Sequence, residues 1–187
     1  MSTTTSEISP STTMQELLAA FPGAQRALFA GYHIGGCRSC GFQPTETLAQ
    51  VCARNEDLPV DEVIAHIQTS HEKDAALLVE PAEAYEWLRS EQPPLLLDVR
   101  TREEHEAVKL PESNLLSQES MQQVFATCPP DQPILIYDHT GDGQALDLAA
   151  YFIGHGFTGA KVLAGGIDAW SQQVDNSLPR YKIEMQG

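Results

Sequence analysis

The sequence predicts an α/β fold, a small parallel sheet flanked by helices, preceded by a small all-α domain. Two observations predict it. From about residue 79 onward, short apolar runs alternate with helical patterns, and strands joined through helices pair in parallel with right-handed crossovers. Before residue 72 the apolar residues recur only at helical spacing. The apolar fraction of 42% over 187 residues is enough for one average domain or two small ones.

Residues 1–12, rich in Ser and Thr, are expected to be a disordered tail. Met14, Leu17, Leu18 and Phe21 then mark a helix with Thr12 or Thr13 at its N-cap. Pro22-Gly23 interrupts it, and Ala24 to Ala30 forms a second helical stretch ending at Gly31. Thr45 or Thr47 caps a helix over Leu48 to Arg54. Pro59 opens an amphipathic pattern of Val60, Val63, Ile64 and Ile67. These elements make a helical domain over 13–72, joined by a linker at 73–78 to an α/β domain over 79–187. In the second domain helices are expected at Pro81–Glu91, Arg102–Ala107, Ser117–Thr127, Ala145–His155 and Ile167–Gln172. Strands are expected at Leu95–Val99, Ile134–Tyr137 and Lys161–Leu163.

The net charge of −15 excludes function classes. Four basic and nine acidic residues lie up to Asp74, against seven and seventeen beyond it. Both halves are acidic, so neither has the electrostatics of a nucleic-acid binder or of a surface drawn to anionic lipid. No apolar run reaches the roughly 20 residues of a membrane span. The N-terminus has no basic region followed by an apolar one, so no secretory signal is expected. A cytoplasmic location with reduced thiols follows as an expectation.

The densest chemical signal is Pro133 to Ala150, PILIYDHTGDGQALDLAA. A buried strand feeds a tight polar loop with Gly141 and Gly143, and then a helix. Loop N–H groups and a helix N-terminus converge there as an anion cradle. Asp138 stands where they converge. Asp98 and Arg100 close the strand LLLDVR, and a structural ion pair is the expected role. Asp138, Asp142 and His139 could also form a loose cation site. A solvated loop is the simpler reading. Trp87 and Trp170 read as packing aromatics, and His155 as a helix-end residue.

LLLDVRTREEH, the Asp138–Gly143 loop and VLAGGIDAW together resemble the rhodanese family, in that order, over about Val79 to Arg180. The resemblance implies sulfur transfer through a cysteine placed after the central strand and carried as a persulfide, within a C-x-x-G-x-R-S loop. In this chain Asp138 stands at the cysteine position and Gly141 matches the glycine. Gly143 and Gln144 stand at the arginine and serine positions. Val108-Lys-Leu-Pro-Glu-Ser113 departs from the usual G-H-I-P-G-A. A carboxylate cannot carry a sulfane sulfur, so no catalytic residue is expected at this loop, and the domain is expected to be a scaffold or docking surface.

The four cysteines divide into a pair and two singles. Cys37 and Cys40 lie in GGCRSCG, where flanking glycines allow a tight turn and Arg38 favours a thiolate. Such a pair can close a disulfide, carry a persulfide or hold the edge of a metal site. Cys52, on an apolar helical face, reads as a small buried hydrophobe, with a third ligand or resolving thiol as the sharper alternative. His33 could complete a zinc site, and an exposed turn histidine is the simpler reading. Cys128, at a helix end on the side of the sheet away from Asp138, reads as structural.

The pattern LLAAFPGAQRALFAGYHIGGCRSCGFQPTETLAQVCARNEDLPVDEVIAHI, over about residues 12–70, resembles the hybrid-cluster-protein-associated redox disulfide domain. It is also similar to the short N-terminal domain of di-iron proteins that repair iron–sulfur clusters. The resemblance implies redox or iron–sulfur work and a protein partner in a sulfur or redox pathway. Three functions follow. One is an inactive rhodanese-like accessory with a thiol-bearing domain. Another is a sulfur or disulfide carrier using Cys37 and Cys40. The third is a protein binding zinc or an iron–sulfur cluster.

Overall fold

The computed structural model describes residues 7–35, 41–141 and 143–181. The chain divides into two compact units, Met1–Ala76 and Leu77–Gly187.

The first unit contains helices α1 (Met14–Ala20), α2 (Ala24–Tyr32), α3 (Leu48–Arg54) and α4 (Val60–Ala75). Two of their N-termini are closed by reciprocal side-chain caps. The Thr13 hydroxyl accepts from Glu16 N–H while the Glu16 carboxylate accepts from Thr13 N–H, and Thr47 and Gln50 repeat the arrangement. Each cap replaces helix donors' lost water contacts, worth about 1 kcal/mol. The apolar face of each helix meets one core that includes Met14, Leu17, Leu28, Leu48, Val51 and Ile67.

Three expectations for this unit are corrected. Residues 8–12 are ordered: Ile8 is buried in the core, and Thr12 and Pro10 carbonyls accept from Leu48 and Ala49 N–H. The free donors at the start of α3 capture the incoming chain, and an apolar side chain secures it. Residues 1–6 lie outside the described set. Helix α2 runs through Gly31 to Tyr32, and the left-handed cap is His33 (φ 58°), which is exposed. The segment expected as a linker begins inside α4, because the helix continues to Ala75.

The second unit runs β1 (Leu78–Val79), α5 (Pro81–Leu88), β2 (Leu95–Asp98), α6 (Arg102–Ala107), β3 (Asn114–Leu115), α7 (Gln118–Thr127), β4 (Ile134–Tyr137), α8 (Gln144–Gly154), β5 (Ala160–Leu163) and α9 (Gly166–Gln173). All strand pairs are parallel, in the order β1-β5-β4-β2-β3. The α/β expectation holds, and the two outer strands are new. Each has only two residues, too few to show a periodicity.

Every residue of β4 is fully buried, which explains its unbroken apolar run. Ile134 and Ile136 face a core shared with α7 and α8, and Leu135 and Tyr137 face a core shared with α5 and α9. Burying each of these large side chains stabilises the fold by roughly 1.5–3 kcal/mol. The loop after β4 is thereby held at the carboxyl end of a central strand, where open parallel sheets place ligands.

Candidate functional site

The loop from β4 to α8 closes on its own first residue. Gly141 N–H donates to Asp138 Oδ1 at 2.5 Å, and Ala145 N–H, in the first turn of α8, donates to Oδ2 at 3.1 Å. The cradle expected from the sequence is therefore present, and the Asp138 carboxylate fills it. Its side chain stands in for the missing cap of α8, whose N-cap Gly143 provides no side-chain bond. Asp138 is 8% exposed, so an incoming anion meets loop donors that the Asp138 side chain already engages.

The turn before α9 locks this loop from behind. Ile167 N–H donates to the Asp138 carbonyl at 3.0 Å and Asp168 N–H to the His139 carbonyl at 3.1 Å. A Cβ on Gly166 would lie 2.5 Å from the His139 carbonyl oxygen, and one on Gly141 2.7 Å from Gly165 N. Gly141, Gly165 and Gly166 also have positive φ, at 77°, 67° and 57°. Glycine is needed here both for backbone contact and for conformation.

Beside the loop, at the end of β2, lies a buried polar cluster. Asp98 is fully buried. Its Oδ1 accepts from Arg100 N–H at 3.0 Å and Arg100 Nε at 2.9 Å. Its Oδ2 accepts from Arg100 Nη2 at 2.6 Å, from His105 Nδ1 at 2.8 Å and from the Tyr137 hydroxyl at 2.7 Å. A carboxylate can only accept, so His105 carries a proton on Nδ1 and the Tyr137 proton points at Asp98. The Tyr137 oxygen is then free to accept from Leu110 N–H at 3.3 Å and from Ser113 Oγ at 2.9 Å. Burial alone would raise the Asp98 carboxyl. The hydrogen bonds from Arg100, His105 and Tyr137 outweigh it and hold the group below the usual carboxylate range. Burial likewise pushes the Tyr137 phenol upward, so the cluster keeps a neutral tyrosine beside an ion pair.

Tyr181 carries the cluster toward the loop. Its hydroxyl accepts from Arg100 Nη1 at 2.7 Å and donates to Glu104 Oε1 at 2.8 Å, and its ring lies 4.7 Å from that of His139. Asp98 and Arg100 thus form the ion pair read from the sequence. Tyr137, Ser113, His105 and Tyr181 were missed as its partners. A tyrosine closing an apolar strand and a histidine in TREEH were the available signals. Tyr181 is 81 positions from Arg100 and left none.

The chain matches the rhodanese-like domain over residues 80–173. It belongs to the rhodanese-like family. Among relatives, it is 30% identical over 90 residues to the thiosulfate sulfurtransferase GlpE of Pseudomonas savastanoi pv. phaseolicola, covering 48% of this chain and 83% of that protein. It is 29% identical over 129 residues to the adenylyltransferase and sulfurtransferase MOCS3 of Anopheles gambiae, covering 59% of this chain. The chain spans only 29% of that mosquito protein's length. Among solved structures, the human single-domain sulfurtransferase TSTD1 aligns with a TM-score of 0.44 at 21% identity, covering 52% of this chain and 96% of that one. The chain is thus a relative of sulfurtransferases through its rhodanese-like unit.

The remaining predicted residues are dispersed. Gly143 and Gln144 begin α8 and supply no guanidinium or hydroxyl to the rhodanese-like loop. Asp142, Cys37 and Cys40 lie outside the described residues. Cys52 is buried in the core of the first unit, and burial pushes its thiol up from the ordinary value. His33 is exposed. Cys128 is half-buried at the C-cap of α7, packed on the core beneath α7 and α8. Among the described residues no three His, Cys, Asp or Glu side chains converge as metal ligands, and no helix is long and apolar enough to cross a membrane.

Proposed function

We propose that this protein is a sulfur-handling accessory of the cytoplasm whose rhodanese-like unit does not itself transfer sulfur. The observation that carries this reading is Asp138: its carboxylate occupies the cradle, accepting from Gly141 and Ala145 N–H. On this reading Asp138 replaces the family's persulfide-bearing cysteine. A carboxylate cannot hold a sulfane sulfur, and its charge repels thiosulfate. Gly143 and Gln144, in place of the family's arginine and serine, offer no counter-charge. The rhodanese-like unit then serves as a docking body for a protein partner in a sulfur or redox pathway.

The expected result is no thiosulfate:cyanide sulfur transfer above background, in either the wild type or Asp138→Ala. A rate that Asp138→Ala lowers would overturn the reading. Asp138→Cys is expected to gain weak transfer at most. Robust transfer in that single variant would show that the loop retains its anion-binding power.

The second reading assigns thiol chemistry to Cys37 and Cys40, as a sulfur or disulfide carrier or as ligands of a zinc ion or iron–sulfur cluster. One observation favours it. A Cβ on Gly41 would lie 2.3 Å from the Gly35 Cα, so the backbone at Gly35 and the backbone at Gly41 are in close contact. A pair of thiols spaced by two residues falls between these glycines. Timed alkylation with mass mapping tests it. Cys37 or Cys40 should react well before Cys52, whose thiol is buried and shifted away from thiolate. Mild oxidation should link Cys37 to Cys40. Faster labelling of Cys52, or no such link, would remove the carrier reading. Metal analysis of protein purified without oxygen separates the ligand role.

A further inference from the structure

One face of α8 lies at the surface. Gln144, Asp147, Leu148 and Tyr151 follow one another on it at helical spacing, and with Met121 of α7 they line an open groove of about 340 Å³. Met121, Leu148 and Tyr151 make the groove apolar along its floor.

Tyr151 is 46% exposed, yet its ring is held. It stands edge-on to Phe125 at 6.0 Å and lies 4.1 Å from the ring of His155, which is itself tied back through Nδ1 to the Tyr151 carbonyl at 2.8 Å. An exposed aromatic ring that is already fixed loses little rotamer freedom when a partner covers it, and such rings are the usual anchors of interfaces. The charge around it is of one sign. From Leu110 to Ala160 the chain has six acidic residues and no Lys or Arg. The charged residues of α7 and α8 are Glu119 and Asp147.

We infer that this groove is a docking surface for an amphipathic helix of a partner protein, with the partner's apolar face on Met121, Leu148 and Tyr151 and its flanking Lys or Arg residues on the acidic surface of α7 and α8. An apolar groove on a helical surface receives a third helix through side chains at helical spacing. Burial of Tyr151 and Leu148 supplies affinity, and the acidic surface selects a basic partner. A second copy of this chain fits less well, because a symmetric contact would set the acidic surface against itself. The inference rests on the reading of the rhodanese-like unit as a docking body and names where the docking occurs and for what chemistry.

The test uses the ¹⁵N-labelled full chain and two blocked peptides of about 15 residues, long enough for a helix to hold. One has leucines on one face and lysines on the other, and its counterpart has glutamates for the lysines. The lysine peptide should move the amide signals of Met121, Leu148 and Tyr151 in a saturable manner and bind at least about tenfold more tightly than the glutamate peptide at low salt. Tyr151→Ala should weaken it about tenfold. Ile153→Ala, also exposed on α8 but outside the groove, should leave it unchanged. No saturable binding, equal affinity for the two peptides, or binding that Tyr151→Ala does not weaken would each overturn the inference. Self-association of the protein alone that Tyr151→Ala abolishes would also overturn it, by making a second copy the occupant. The docking-body reading fails separately: sulfur transfer by the wild type would overturn that reading and leave the peptide titration as it stands.

Discussion

Asp98→Ala is expected to lower the unfolding free energy of the rhodanese-like unit by about 3–5 kcal/mol, the cost of stranding one partner of a buried ion pair. Arg100 would keep its bonds to the Val108 carbonyl and to Tyr181 but lose its counter-charge in a site where its own side chain is 2% exposed. The Tyr137 and His105 protons would lose their acceptor as well. The same loss has a pH signature. The folded Asp98 carboxyl lies below the usual range, so its contribution is fully present above the unfolded value of about 3.9 and disappears as pH falls through the lower folded value. Denaturant unfolding from pH 7 down to pH 2 checks both points. The wild type should lose stability at the acid end, and the Asp98→Ala variant should lack that part of the decline. A loss under 1 kcal/mol at pH 7 would mean that the cluster is hydrated and not buried.

Gly166→Ala is expected to cost about 2–5 kcal/mol. Roughly 1–2 kcal/mol comes from placing an L side chain at φ 57°. A further 1–3 kcal/mol comes from overpacking, because the new Cβ would press on backbone atoms of Asp138 and His139 that no rotamer change can move. The alanine should also disturb the bonds from Ile167 and Asp168 N–H to the loop carbonyls, so the amide signals of Gly141 and Ala145 should shift with it. Gly154→Ala is the control: nothing lies within 4 Å of its Cβ, and it is in helix α8, where alanine is the better helix former. Equal stability of Gly166→Ala and the wild type would show that the loop is not held by the α9 turn.

The parts of the site that were legible lie close together in the sequence. Asp98 and Arg100 are two residues apart and lie at the end of an apolar run, so their pairing could be read directly. The Asp138–Gly141–Ala145 cradle is equally local, since a strand, a glycine loop and a helix start define where N–H groups converge. His105 reaches Asp98 from α6, seven positions on, whereas Ser113 reaches Tyr137 only because β4 and the segment after α6 are side by side. Tyr137 bonds Asp98 across 39 positions because β4 pairs with β2 in a register that sets Asp98 opposite Tyr137. Ile8 looked like part of a polar tail, since one apolar residue has no periodicity of its own.

What the chain's local pattern determined was the class of fold, the three inner strands, the helices between them and the presence of a carboxylate in the loop after β4. Each depends on the side-chain period or on the geometry of a few adjacent residues, and both are written in order along the chain. Tertiary structure alone decided the two-residue edge strands, the burial of Ile8, the clasp between the α9 turn and the loop, and the bond from Tyr137 to Asp98. These depend on which distant segments meet. A hydrogen bond or a backbone contact across a sheet has no period, and the free energy that selects it comes from burying both sides at once.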